Sequence, residues 1–438
     1  MVKAGYKQTE VGEIPEDWDI LRGEEITTII AKGASPNWQG FSYTNSGMLF
    51  VTSENVRNGY LDIKKPKYLP LEFHEKLSRS KLKNGDILIN LVGASIGRSC
   101  QIRQEIGEAN INQAVAIFRV GEFYDARYIA SYLNSPQCID RILGMQVDAA
   151  RPNISLGGLR NFTIPFPSRS EQKAIAAALS DVDTLIDSLE KLIEKKRDIK
   201  TATMQQLLTG KKRLPGFGEG KGTKQSELGE IPEDWDVRKY GDTFAFLSTA
   251  NNSRADLNED GDVEYIHYGD IHTKLHFNLD LERQTLPKID RNKLRNPAFI
   301  ADGDVVMADA SEDYEGIGKS IEISNVGTRR VVSGLHTFLL RDTEKRYANG
   351  FRGYLHSIPA IKRAFDTLAT GLKVYGLSKN SLKSVSIPVP PFDEQVEIVK
   401  VISCMDKELH LLEEKLTKTK AIKQGMMQEL LTGRTRLV

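Results

Sequence analysis

The chain has 438 residues and a formal charge of +1, with 40% hydrophobic and 27% charged residues. That length exceeds one ordinary core and that composition is globular, which excludes a disordered or fibrous chain and predicts two or more domains. No apolar run reaches the roughly 20 residues of a membrane span, the opening Met1-Val2-Lys3-Ala4-Gly5-Tyr6-Lys7 has no signal-peptide core, and Cys100, Cys138 and Cys404 are too scattered for zinc or a disulfide framework.

A soluble cytoplasmic protein with no membrane contact is therefore expected. Near-neutral charge is unusual for a nucleic-acid binder, yet it can hide a basic face balanced by an acidic scaffold.

Reading along the chain, Lys7-Gln8-Thr9-Glu10-Val11-Gly12-Glu13-Ile14-Pro15-Glu16-Asp17-Trp18-Asp19 comes first. Short apolar runs follow at Gly47–Val51 and Gly85–Asn90, with the pattern of strands between polar loops. A short helix is predicted at Ala126–Leu133, then a strand ending in proline at Ile164-Pro165-Phe166-Pro167. A long helix begins at Ser170-Glu171-Gln172, with Ser170 as the expected N-cap. Its apolar positions Ile175, Leu179, Val182, Ile186, Leu189 and Ile193 alternate four and three apart, the spacing of a coiled-coil seam. It stops at Thr209-Gly210, and residues 211–226, rich in Lys and Gly at their start, are expected to form a flexible linker.

Then the chain starts again. The opening motif returns as Lys224-Gln225-Ser226-Glu227-Leu228-Gly229-Glu230-Ile231-Pro232-Glu233-Asp234-Trp235-Asp236. Gly303–Met307 repeats the strand, Ala348–Leu355 the short helix and Ile387–Pro390 the proline-ended strand. The second long helix starts at Asp393-Glu394-Gln395, with Asp393 as its expected cap, and carries Ile398, Ile402, Met405, Leu409, Leu412 and Leu416 in the same register. Leu207-Leu208-Thr209-Gly210 recurs as Leu430-Leu431-Thr432-Gly433, so the offset drifts from 217 at Lys7/Lys224 to 223 at Leu207/Leu430. A period above 200 residues means a duplicated domain, not a solenoid. Two matched seams are most simply each other's partner. The alternative is that each helix packs on its own globular domain, although about 38 residues of helix would extend some 57 Å. Trp18 and Trp235 are expected as core anchors.

The expected fold is α+β: two pseudo-twofold-related mixed α/β heads separated by a long antiparallel two-helix coiled coil. The segments are 1–167 for head one, 168–210 for the first spacer helix and 211–226 for the linker. Head two then takes 227–390, and 391–438 hold the second spacer helix and tail. Two heads on a rigid rod suit duplex DNA, where paired heads fix the half-site spacing. The repeated ends of each unit serve as frame, and the divergent loops near 31–119 and 248–342 are left to read different sequences.

Arg suits guanine, Asn or Gln suits adenine, and Lys suits phosphate. Candidate contacts in head one are therefore Lys32, Ser35, Asn55, Arg57, Arg98, Asn112, Gln113 and Arg151. In head two they are Asn251, Asn252, Arg254, Tyr268, His272, Lys274, Lys319, His336 and Lys373. For any single one, an ordinary solvated turn residue is an equal reading.

Three motifs suggest other chemistry and fail. Gly318-Lys319-Ser320 resembles the end of a phosphate loop, but Asp313 stands where its first glycine belongs. Pro390-Pro391-Phe392 looks like part of an adenine-methyltransferase motif, but Val389 replaces the required Asn. His267, His272 and His276 lack a metal-ligand spacing. No catalytic residue, metal or cofactor is expected.

The order of proline-ended strand, Glu-Gln helix start, apolar heptads and Leu-Leu-Thr-Gly, all present twice, resembles type I restriction-modification specificity subunits. The likeness covers nearly the whole chain and is most specific at Ile164–Leu214 and Ile387–Leu437. It implies that each head is a target-recognition domain, and that the helices are the spacer and the dock for two methyltransferase subunits, which restriction-translocase subunits join. It also implies a non-catalytic chain that binds double-stranded DNA. A coiled-coil adaptor whose two heads bind proteins is the alternative.

Overall fold

Two long helices organise the chain: Arg169–Leu208, of 40 residues, and Phe392–Leu430, of 39. The computed structural model describes residues 3–145 and 153–437. They form two compact units, Met1–Lys191 with Glu413–Val438, and Leu192–Leu412. Each long helix is shared, the first passing into unit two at Leu192 and the second into unit one at Glu413.

Within unit one the helices run antiparallel, with Asp183 paired to Lys423 and Glu190 to Lys420, each at 2.5–2.7 Å. Within unit two Lys196 pairs with Glu408 at 2.7 Å, and Lys200 pairs with Asp406. All twelve seam positions, from Ile175 to Ile193 and from Ile398 to Leu416, are buried or half-buried. Apolar residues off the seam, such as Leu185, Leu411 and Ile422, face solvent. The alternating spacing therefore marks the buried face, and the two helices pack on one another.

Each helix stops at a left-handed glycine, Gly210 with φ 70° and Gly433 with φ 68°. A Cβ at Gly210 would lie 2.4 Å from Pro232, and one at Gly433 would lie 2.4 Å from Pro15, so both need glycine for space as well as for φ. The starts differ from expectation. Ser168, not Ser170, caps the first helix, its Oγ accepting from the Glu171 amide at 3.3 Å. The second begins at Phe392, which places Asp393 inside the first turn. The first helix thus starts directly after Pro167-Ser168 and the second directly after Pro390-Pro391, earlier than the polar residues suggest.

Unit one opens with a hairpin, Tyr6–Thr9 against Gly12–Pro15. Strand Asp19–Arg22 then pairs with Thr163–Phe166 at the foot of the helix. The head is a four-stranded antiparallel sheet in the order Thr27–Lys32, Val115–Val120, Ile87–Asn90, Ser99–Gln101. Beside it, Tyr68–Leu69, Met48–Val51 and Ala109–Ile111 form a second sheet, the last pair parallel. The central strands alternate between two cores. Ile87, Ile89, Ala116 and Phe118 join Trp18, Ile175 and Leu430, while Leu88, Val115 and Ile117 join Leu49 and Val51. A sheet covered on both faces reads as an unbroken apolar run, which is why Ile87-Leu88-Ile89 does not alternate.

Unit two repeats the plan with Thr223–Ser226 against Gly229–Pro232, and Asp236–Lys239 against Ser386–Val389. The linker thus ends by residue 222, because Lys224 and Gln225 are needed in a ladder. Its sheet has five strands in the order Phe244–Leu247, Thr337–Asp342, Val305–Ala308, Ser320–Ser324, Phe277–Asp280. The last strand is absent from the plan of unit one and runs parallel to its neighbour. The expected helix at Ala348–Leu355 is instead a tight 3-10 turn, Arg352–Ser357. There a Cβ at Gly353 would strike the Phe277 carbonyl at 1.9 Å, and buried Arg352 is held by Glu322 and Asp342.

One node closes each unit. In unit one, Arg436 donates to both Glu171 oxygens (2.6 and 2.9 Å) and both Asp17 oxygens (2.9 and 2.7 Å). Its guanidinium lies 5.7 Å from the Trp18 ring, and Trp18 Nε1 donates to Glu171 at 3.3 Å. In unit two, Arg213 does the same with Glu394 and Asp234, 5.7 Å from Trp235, whose Nε1 donates to Glu394 at 2.9 Å. The Arg213 hydrogen bonds hold the Asp234 carboxyl down at about 2.

Removing either arginine leaves a buried glutamate uncompensated. Arg436→Ala and Arg213→Ala should each destabilise the chain by about 2–3 kcal/mol, under the full cost of breaking a buried pair because both arginines are partly exposed. A lower urea midpoint reads this; unchanged midpoints would contradict it.

Candidate nucleic-acid interface

The loops left free by these sheets gather at one edge of each head. In head two, Val305–Ala308 ends at Asp309, whose amide donates to the His336 carbonyl at 3.1 Å and whose carbonyl accepts from the Leu377 amide at 2.8 Å. Ala310–Ser311 then pairs with Tyr375–Gly376. Helix Tyr268–Thr273 meets this point through His272, whose Nε2 lies 2.9 Å from the Ala310 carbonyl. A carbonyl only accepts, so Nε2 is the donor in this contact. Among the described residues the buried His272 Nδ1 has no hydrogen-bond partner.

Tyr268 sits at the centre, its ring 4.6 Å from His267, 5.5 Å from His336 and 5.9 Å from His272. Arg254 reaches Asp270 at 3.0 Å and His267 Nδ1 at 3.4 Å, and Lys274 lies 3.6 Å from Asp270. Burial, and then the charge of Arg254, push the His267 pKa down. His336, at φ 56°, stands 3.4 Å from Asp309, whose carboxyl is pushed up by burial. Five expected residues, Arg254, Tyr268, His272, Lys274 and His336, thus form one cluster.

The others lie around it or apart. Asn252 Nδ2 donates to the Lys293 carbonyl at 3.3 Å while its buried Oδ1 has no hydrogen-bond partner among the described residues, and Asn251 is exposed beside it. Lys373 stands exposed on the hairpin tip that leads into Tyr375.

In head one the matching edge centres on Asn90, whose Nδ2 donates to the Ser53 carbonyl at 3.0 Å and to Ser95 Oγ at 3.1 Å. Asn112 accepts from the Ala114 amide at 3.1 Å, and its carbonyl accepts from Gly33 at 3.1 Å, which draws Lys32 and Ser35 to the same region. Lys32 also lines, with Arg79 and Arg160, a cleft of about 690 Å³. Gln113 is exposed. Arg57 lies 3.7 Å from Asp62. Asn55 is consumed by its own loop: Oδ1 accepts from Thr52 N and Oγ1, and Nδ2 donates to the Asp62 carbonyl. Its polar atoms are therefore spent on the turn. Arg151 lies outside the described residues.

One feature occurs in both heads. Ile96-Gly97-Arg98-Ser99 and Ile317-Gly318-Lys319-Ser320 make the same turn, with Gly97 at φ 79° and Gly318 at φ 75°. A Cβ at Gly97 would crowd Ile142 at 3.1 Å, and one at Gly318 would overlap Phe365 at 2.3 Å. The turn is thus pressed against the helix Pro136–Gly144 or Pro359–Leu368. Arg98 and Lys319 follow it at equivalent positions, both half-buried, and among the described residues neither lies within ion-pair distance of a carboxylate.

Sequence reasoning named His267 only within a rejected metal motif, and passed over Asp270 and Asp309, which complete the cluster, and Trp38, which is 91% exposed on the turn Asn37–Gln39. The matching turn of head two, Arg254–Asp256, lies the same distance along the chain from Ala250 as Asn37–Gln39 does from Gly33. That alignment was the available signal. Among the described residues no group of His, Cys, Asp and Glu could hold a metal ion, and no helix is long and apolar enough to cross a membrane.

Two heads of one plan, each with a polar loop edge and tied to paired helices, define a two-headed recognition protein. A family model described as the type I restriction modification DNA specificity domain matches residues 15–196 and again 232–421. The chain belongs to this family. The type I restriction enzyme MjaVIII specificity subunit of Methanocaldococcus jannaschii is 24% identical, over 99% of this chain and 96% of its own. A type I restriction-modification S subunit from M. genitalium has a similar fold, with a TM-score of 0.53 at 15% identity over 94% of this chain and 96% of that one. A structure of type I R-M complex assembly and conformational transition gives 0.58 at 15%, over 96% and 99%. The chain is accordingly a non-catalytic specificity subunit that binds DNA by sequence.

Lys319 has an electrostatic neighbour that sets a pH dependence. His356, 2.9 Å from Ser320 Oγ, is pushed down to about 4 by burial first, then by Lys319, Lys362 and His276. Its folded pKa lies below the unfolded value near 6.5, so the unfolded chain binds the extra proton. The stability it contributes is complete above about pH 6.5 and lost as pH falls toward 4. Unit two should therefore unfold at lower urea at pH 4.5 than at pH 7, and His356→Gln should make that decline shallower. Equal declines would exclude His356 as its source.

Proposed function

We propose that the two heads read different halves of a bipartite, asymmetric DNA site. On this reading 1–167 and 227–390 are the pseudo-twofold target-recognition domains. The helices in 168–210 and 391–438 act as an antiparallel spacer between them, and the segment after residue 210 links the first helix to head two. Two methyltransferase subunits dock on the helices, restriction-translocase subunits join that core, and the assembly works in the cytoplasm.

Exposed apolar residues on the long helices, Leu185, Leu192 and Ile199 on the first and Leu411 and Ile422 on the second, support a docking role, since apolar surface of this kind marks protein contact. The observation that carries the DNA reading is the unpaired cation at the same turn of both heads, Arg98 and Lys319, amid loops that otherwise differ. A shared cation suits phosphate, which is the same everywhere, and differing loops suit bases, which are not.

In head one Lys32, Ser35, Arg57, Asn112 and Gln113 stand with Arg98 as reading or backbone groups. In head two Arg254, Tyr268, His272, Lys274, His336 and Lys373 stand with Lys319. Asn251 and Asn252 remain candidates in head two, and Asn55 is not carried into this set.

Two measurements test the reading. Arg98→Ala and Lys319→Ala should each weaken binding to all sequences alike and reduce the salt slope of affinity by about one. Exchanging 248–342 for the same region of a relative should change one half-site and leave the other intact. Unaltered slopes, or both half-sites changing together, would count against it.

A further inference from the structure

Beyond the polar cluster, head two carries an apolar side chain that the fold does not use. Leu372 is 98% exposed and Val374 is 55% exposed, on the tip between Thr370 and Gly376. A loop tip in water is ordinarily polar, and a leucine that touches nothing adds nothing to a core.

The tip is nonetheless firmly mounted. Thr370 and Gly376 exchange two backbone hydrogen bonds, at 3.0 and 2.7 Å. The returning strand pairs with Ala310–Ser311, and the Tyr375 ring lies 3.9 Å from that of Tyr314. Gly371, at φ 137°, passes so close to the Val374 carbonyl that a Cβ would fall 1.9 Å from it. The hairpin therefore holds Leu372 outward on a stiff base, which lowers the ordering entropy lost on binding.

Its mounting point is the reading edge itself. Ala310, whose neighbour Ser311 faces Tyr375 in the ladder, is also the carbonyl held by His272, and Asp309 beside it faces His336. Lys373 is exposed directly next to Leu372. An apolar tip beside a cation, projecting from a polar reading edge, fits stacked bases flanked by phosphates.

We propose that Leu372 is a wedge that enters between adjacent base pairs of the half-site read by head two, with Lys373 on the neighbouring phosphate. Apolar side chains inserted in this way unstack a base step and bend the duplex, which adds discrimination through the deformability of the step. Flexible pyrimidine–purine steps would be favoured at that position. This rests on the DNA-reading function of head two, and it makes Leu372 a specificity-determining residue without a hydrogen bond to any base.

The test uses the chain assembled with its methyltransferase subunits and a cognate duplex identified by methylation mapping. 2-Aminopurine, which brightens when unstacked, replaces in turn each purine of the head-two half-site except the methylated adenine. The wild-type complex should brighten several-fold at one step. Leu372→Ala should lose most of that signal and bind the cognate duplex about tenfold more weakly, with non-specific binding unchanged, and Leu372→Phe should restore both. An undiminished signal in Leu372→Ala would overturn the wedge while leaving the DNA-reading function intact. So would a variant that sheds methyltransferase subunits on gel filtration, since the tip would then be a protein dock. A wild-type complex that does not distinguish cognate from random DNA would instead overturn the DNA-reading function itself, and the wedge with it.

Discussion

The guanidinium held between two carboxylates over a tryptophan is the contact on which the rest of each unit depends. Glu171 and Glu394 are fully buried at the starts of the long helices, where an unpaired charge would be severely penalised. Arg436 and Arg213 neutralise them and bind Asp17 and Asp234, which belong to the opening segment of each unit. One side chain thereby fastens a helix start, a helix end and the beginning of a head. The next residue, Gln172 or Gln395, fastens the head again. Its amide donates to the Pro167 or Pro390 carbonyl, and its oxygen accepts from Asp125 N or Ala348 N. The Glu-Gln pair thus has two distinct tasks, one toward the frame and one toward the head.

With the frame closed in this manner, charge in the heads divides into internal and available. Arg119 with Asp86 and Arg341 with Asp304 are matched pairs across the two sheets, each at 2.6–2.8 Å, and Arg352 is enclosed by Glu322 and Asp342. The seam adds further pairs. Arg119, Arg341 and Arg352 are thus committed to carboxylates within the heads. Arg98 and Lys319, both half-buried, and exposed Lys373 are in no such pair among the described residues, so they are available to a ligand.

Much of this was legible in the residue order because duplication gives every signal twice. The heptads, the terminal glycines and the paired tryptophans needed no tertiary knowledge, because each stands at the same place in both units. What could not be read depended on contacts far apart in sequence. Asn55 has the residue type of an adenine reader, yet Thr52 and Asp62 saturate it. Ser170 has the look of a cap, yet Ser168 holds that place. The turn at Arg352–Ser357 stands where a helix was expected, and its Gly353 lies against the Phe277 carbonyl, far away in sequence. Single residues in the loops carry no period, so His267 and Leu372 acquire meaning only from what stands beside them.

The two arginine nodes make the same contacts but join very different spans of chain. Arg213 and Asp234 are 21 residues apart, whereas Arg436 and Asp17 are 419 apart. In an otherwise unfolded chain, closing the longer loop costs about 2.6 kcal/mol more, from the logarithmic dependence of closure entropy on length. Identical chemistry therefore gives unequal timing: the Arg213–Asp234 half of its node can form early and locally and wait for Glu394, while both halves of the Arg436 node join residues more than 200 positions apart.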